Sequence, residues 1–99
     1  MLQKTSQFLR QANFIDGEWV QADSGATIDV INRATLQKLG TVPKSGQAET
    51  RRAIEAAERA FKTFSKTSAL ERSKMLRNLH DDILDNQDAL AELLTLEQG

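Results

Sequence analysis

Phe14-Ile15-Asp16-Gly17-Glu18-Trp19-Val20 decides how the first half of this chain is read. Two short apolar and aromatic runs flank Asp16-Gly17. A type I′ turn needs positive φ at both central residues, which Asp-Gly tolerates, so a tight hairpin is predicted there. Downstream, Asp23-Ser24-Gly25 reads as a turn, and Thr27, Ile28, Val30 and Ile31 read as a longer strand ending near Asn32. Leu39 to Val42 supplies a further short strand, weakened by Gly40 and stopped by Pro43. Trp19, the sole tryptophan, reads as an amphipathic ring covering the edge of a small core.

Upstream of the hairpin, Met1 to Arg10 holds only scattered Leu2, Phe8 and Leu9, without the continuous apolar stretch of a secretory signal. No apolar run approaches the ~20 residues of a membrane helix. The expectation is a soluble cytoplasmic protein with no membrane partner.

The pattern changes near residue 45. Ala53, Ile54, Ala57, Ala60, Phe61 and Phe64 recur at three-four spacing and predict a helix from about residue 47. Glu55 precedes Arg59 by four residues and Glu58 precedes Lys62 likewise, an arrangement that favours ion pairs along the helix. Ser65 to Ser68 interrupts the pattern. Ser68-Ala69-Leu70-Glu71 then forms a capping box, in which serine and glutamate each satisfy an amide of the other's residue, and starts a second helix. Leu70, Met75, Leu76, Leu79, Ile83 and Leu84 are its apolar positions. Asp85-Asn86 is expected to cap a continuation through Leu90, Leu93, Leu94 and Leu96, with Gly99 at the helix end. The fold class is α+β: strands over 14–42, then two or three helices over 47–98.

Composition limits the chemistry. The 99 residues carry 13 Lys+Arg against 14 Asp+Glu, a net charge of −1, so no basic field marks a nucleic-acid surface. The absence of cysteine removes disulfides, Cys-ligated zinc and any thiol nucleophile from this segment. His80 has Asp81, Asp82 and Asp85 as sequence neighbours, but a solvated helix face explains that run better than a metal or catalytic pair. Arg51-Arg52 is flanked by Glu49 and Glu55 and reads as part of a charged face rather than a phosphate site. The five glycines are isolated from one another, so no phosphate-cradling loop is present.

The order of motifs resembles the amino-terminal segment of the NAD(P)-dependent aldehyde dehydrogenase superfamily. The residues that carry it are Phe14 to Val20, then Asp29-Val30-Ile31-Asn32-Arg33-Ala34-Thr35, then Leu39-Gly40-Thr41-Val42-Pro43. The helix Glu49 to Phe64, Glu71-Arg72 and the closing Leu94-Thr95-Leu96-Glu97-Gln98-Gly99 continue it. Thr41 to Lys44 and Leu94 to Gly99 most resemble the bacterial succinate-semialdehyde dehydrogenase branch. The resemblance implies a division into an N-terminal extension, 1–12, and a partial domain, 13–99, that begins an α/β cofactor-binding domain and is truncated at 99.

The implied activity is oxidation of an aldehyde, with a cysteine thiolate as nucleophile, NAD or NADP as hydride acceptor and a glutamate-activated water releasing the acid. The family's residues for those steps lie beyond residue 99, so the isolated chain is expected to be inactive, with no catalytic or cofactor-binding residue of its own. The whole enzyme implied is a homodimer or homotetramer acting on a small aldehyde. The resemblance also implies part of a Na⁺ or K⁺ site, from the backbone carbonyls of Val30 and Ile31 and the carboxylate of Glu97. Three positions depart from the family pattern: Arg33 stands for its proline, Leu36 for its glycine and Phe64 for its tryptophan. If Leu36 takes positive φ, it is strained. A rival reading is a helical interaction module that binds a partner helix through Leu76, Leu79, Ile83, Leu90 and Leu93.

Overall fold

A computed structural model describes residues 3–99, so Met1 and Leu2 of the 1–12 segment lie outside the described residues. The element order is α1 (Gln3–Ser6), β1 (Asn13–Ile15), β2 (Glu18–Val20), β3 (Thr27–Ile31), β4 (Lys38–Pro43), α2 (Gln47–Phe64), α3 (Ala69–Asp85) and α4 (Gln87–Gln98). The strands form two separate antiparallel pairs, β1–β2 and β3–β4.

Asp16 and Gly17 turn the first hairpin at φ 54° and 79°, as the Asp-Gly signal requires. The cross-strand pair Phe14 and Trp19 packs ring on ring at 4.9 Å, and the Arg10 guanidinium lies 5.3 Å from the tryptophan ring centre. Trp19 therefore covers a hairpin face rather than a core edge, and it stays about half exposed. In the second pair, Val30 faces Gly40 while Ile31 faces Lys38, which leaves Leu39 as an extra residue in β4 and interrupts the ladder there. Gly40 lets the Gln11 side chain lie close: an added Cβ would meet its oxygen at 2.7 Å and push that flexible side chain aside. That oxygen accepts from the Thr41 amide at 2.9 Å, and the Gln11 carbonyl accepts from Gln21 at 2.9 Å, so one residue links both hairpins.

Ser68 and Glu71 form the reciprocal capping box, with bonds of 3.1 and 3.0 Å. Asn86 differs from expectation. Its side chain donates to the Asp82 carbonyl at 2.7 Å and so closes α3, while it makes no side-chain bond to the start of α4. α1, which left no signal in the sequence, lies within residues 1–12 and packs on α4, and Lys4 donates to the carbonyl of Asp85, the last residue of α3, at 3.1 Å. No described helix is long and apolar enough to cross a membrane.

The molecule measures 47 × 36 × 18 Å, flattened along one axis. Its radius of gyration is 16.6 Å, against about 13 Å for a compact chain of this length. Among the described residues the buried apolar side chains are Ala22, Ala89 and Pro43, all of them small.

Leu36 adopts φ 63° in the turn between β3 and β4 and is exposed, so no packing offsets its left-handed backbone. The strain is about 1–2 kcal/mol, and glycine's extra freedom in the unfolded chain returns roughly half of it. Leu36→Gly should therefore slow hydrogen exchange of the β3–β4 ladder amides about two- to threefold, a local gain near 0.5 kcal/mol. Faster exchange in the variant would show that the turn does not strain this residue.

Candidate functional site

The charged side chains converge where the first hairpin meets α2. Glu49 stands at the third position of α2, where a carboxylate can reach back to the residue before the helix. It does so, accepting from the Gly46 amide at 2.8 Å, while its other oxygen accepts from the Asp23 amide at 2.8 Å. Gly46 has no side chain, so only this half of a capping box exists. Glu49 is 6% exposed, which corrects its reading as part of a solvated charged face. The donated Asp23 and Gly46 amides hold its carboxyl below the ordinary value, and Arg52 adds to the effect.

Arg52 grips Asp23 with both terminal nitrogens, at 2.9 and 2.6 Å, and that bond holds the guanidinium more firmly protonated. Two helical turns further on, Arg59 reaches Asp16 in the hairpin turn at 3.1 Å. The expected pairs along α2 do not form among the described residues, because Arg59 turns to Asp16 instead of Glu55, and Glu58 and Lys62 remain apart. Asp16, Asp23, Arg52 and Arg59 line a cleft of about 380 Å³ with Ile15, Glu18, Val20, Gln21 and Glu55. Both arginines in it are already paired with carboxylates, and the cleft holds no nucleophile. Its chemistry is that of a fastener.

His80 lies 3.1 Å from Asp81, and both are more than half exposed on α3. Val30 and Ile31 are half-buried at the end of β3, beside the interrupted register; Glu97 is exposed in the last turn of α4. α4 contacts β3, and Gly99 sits so close to Arg33 that an added Cβ would approach its Cβ to 2.9 Å. The three residues thus belong to elements that touch. The apolar stripe is divided: Leu76, Leu79 and Ile83 are exposed on α3, whereas Leu90 and Leu93 are half-buried on α4.

The sequence pattern of the aldehyde dehydrogenase family matches residues 19–99. The chain belongs to the aldehyde dehydrogenase family. Among curated relatives, a glutarate-semialdehyde dehydrogenase of Pseudomonas putida is 52% identical over 96 residues, which are 97% of this chain and 20% of the relative. The NADP⁺ succinate-semialdehyde dehydrogenase of Escherichia coli is 49% identical over 94 residues, 95% of this chain and 20% of the relative. A solved succinate-semialdehyde dehydrogenase of Burkholderia pseudomallei superposes with a TM-score of 0.91 at 49% identity, over 94% of this chain and 19% of that one. The chain spans about a fifth of the length of the aldehyde dehydrogenases it matches.

Glu49 yields a prediction with a definite sign. Its carboxyl is depressed on folding, so its contribution is complete above the ordinary value of 4.5 and is lost as pH falls through the lower folded value. The Asp23 and Gly46 amide proton shifts should titrate together with a midpoint below 4.5. Glu49→Gln, which keeps one acceptor oxygen for two amides, should abolish that titration. Independent titrations of the two amides would show that no shared carboxylate joins them.

Proposed function

We propose that this chain is the opening segment, residues 13–99 after the extension 1–12, of an enzyme that oxidises an aldehyde bearing a carboxylate at its other end, with NAD⁺ or NADP⁺ as hydride acceptor. Succinate and glutarate semialdehydes, four- and five-carbon members of that class, are the substrates named for its relatives at 49% and 52% identity. The observation that carries the reading is continuous similarity across nearly the whole chain, with the backbone arrangement kept at a TM-score of 0.91.

The chain's own residues have a positioning part in this reaction. A thiolate nucleophile, a nicotinamide acceptor and a base are what the chemistry needs, and the described residues contain no cysteine and no cluster of three or more His, Asp or Glu side chains placed to hold a metal ion. Glu49, Arg52 and Arg59 hold the hairpin against α2 and so present the helices at fixed angles to whatever part of the domain carries the reacting groups. The isolated chain is accordingly silent. Purified 99-residue chain should produce no NADH or NADPH with either semialdehyde. A chimera in which it replaces the matching segment of the Escherichia coli enzyme should turn succinate semialdehyde over. Turnover by the chain alone, or a folded chimera without turnover, would overturn the proposal.

The carbonyls of Val30 and Ile31 and the carboxylate of Glu97 are proposed as part of a Na⁺ or K⁺ site. Oxygen donors suit a hard monovalent ion, and the contact between α4 and β3 supports the grouping. In the same chimera, replacing NaCl or KCl by a bulky organic cation at equal ionic strength should lower the unfolding midpoint, and Glu97→Gln should remove the difference. A midpoint indifferent to the cation in both proteins would rule the site out.

A further inference from the structure

Residues 3–12 read as an extension, but the folded chain uses them to join elements that are distant in sequence. Lys4 donates to the Asp85 carbonyl at the end of α3, and α1 packs on α4. Arg10 lies over the Trp19 ring in β2. Gln11 accepts from the Thr41 amide with its side chain and from Gln21 with its carbonyl, each at 2.9 Å. One short stretch therefore reaches the joint between α3 and α4, the first hairpin and β4.

The two ends of this stretch differ in how well they are bonded. At Gln11 each bond joins a donor to an acceptor. At α1 the Thr5 side chain is 0% exposed, and its hydroxyl has no hydrogen-bond partner among the described residues. A covered hydroxyl without a partner loses its bonds to water and gains none in return. The Thr5 carbonyl does accept from the Phe8 amide at 3.0 Å, so the defect belongs to the side chain. Valine has the same shape without the hydroxyl, so packing alone does not call for the orphan group. α1 is also only four residues long, far below the length at which a helix persists by itself. It exists through its contact with α4. Lifting α1 rehydrates the hydroxyl and lets the turn melt, and the exposed Lys4 bond opposes this weakly because water competes for both partners.

We propose that residues 3–12 form a strap with one fixed and one releasable end: Gln11 stays bonded to the hairpins while α1 docks on and lifts from α4. Docked, the strap ties the α3–α4 joint to the hairpins through Lys4 and Asp85. Lifted, it leaves that joint without this tie, and the hairpins stay as they are. The orphan hydroxyl of Thr5 sets which end opens first.

Hydrogen exchange in the 99-residue chain reads both ends. The Phe8 amide, bonded to the Thr5 carbonyl, reports α1, and the Thr41 amide, bonded to Gln11, reports the anchor. Relative to their unfolded-chain rates, Phe8 should be at least about tenfold less protected than Thr41. Thr5→Val should slow exchange at Phe8 at least about fivefold and leave Thr41 within about twofold, because it removes the unpaired group and keeps the shape. Thr5→Ser keeps the hydroxyl and should not slow Phe8. Gln11→Ala should speed Thr41 at least about fivefold. Equal protection at Phe8 and Thr41, or protection at neither, would remove the fixed end and overturn the proposal. A Phe8 amide that Thr5→Val leaves unchanged or speeds would overturn it too, since the hydroxyl would then be satisfied in solution. So would slowing by Thr5→Ser equal to that by Thr5→Val, which would take the effect away from the hydroxyl.

Discussion

Both oxygens of the Glu49 carboxylate are committed to backbone amides from opposite sides of the chain, Asp23 beyond the first hairpin and Gly46 at the start of α2. Charge-assisted bonds of this kind are directional and, when shielded from water, costly to leave unmade. The arrangement of the two halves depends on them, because the apolar alternative is so small. Ala22, Ala89 and Pro43 are the buried apolar side chains among the described residues. Asn13 with Ser45, Arg52 with Asp23, and Arg59 with Asp16 extend the fastening along the same seam. These outer pairs are exposed, and solvent and salt screen them. The shielded pair of bonds at Glu49 therefore sets the angle at which α2 leaves the hairpin, and the outer pairs keep it in register.

A molecule assembled in this way is a plate. Polar bonds at the seam and the contacts of α4 with α1 and β3 hold its edges, but they leave the broad helical faces apolar and uncovered. That geometry is unsuitable for an independent small domain and suitable for the edge of a larger one. The chain belongs to the aldehyde dehydrogenase family and spans about a fifth of the length of its curated relatives, with which the proposed place at the edge of a larger domain agrees. Function resides in sites carried by folds rather than in folds themselves. At the seam, Asp16, Asp23, Arg52 and Arg59 are paired with one another, and the large apolar residues of α3 face outward.

Local features were legible from the residues. Asp16-Gly17 specifies its turn because few residue pairs accept two positive φ values in succession, and Ser68 with Glu71 starts α3 because both bonds of the box close within four residues. The strain at Leu36 was also legible, but only through the family pattern that has glycine there; its confirmation came from a φ of 63°. The four-residue α1 left no signal, since it is too short for periodicity and exists through its contact with α4. The extra residue Leu39 in β4 was equally silent, because register depends on the partner strand.

The charged residues separate what the sequence determined from what the tertiary structure decided. Period alone placed Glu49, Arg52 and Arg59 on one helix, since a helix is made of bonds between residues four apart. The same spacing suggested that Arg59 would pair with Glu55. The folded chain instead brings Asp16, forty-three residues away, within 3.1 Å. Likewise, the sequence drew the apolar stripe of α3 without saying what would cover it. Helices, turns and caps are decided by neighbours along the chain and can be read from it. Which carboxylate an arginine meets, and which apolar face lies open, depends on how distant segments dock, and only the tertiary structure supplies those distances.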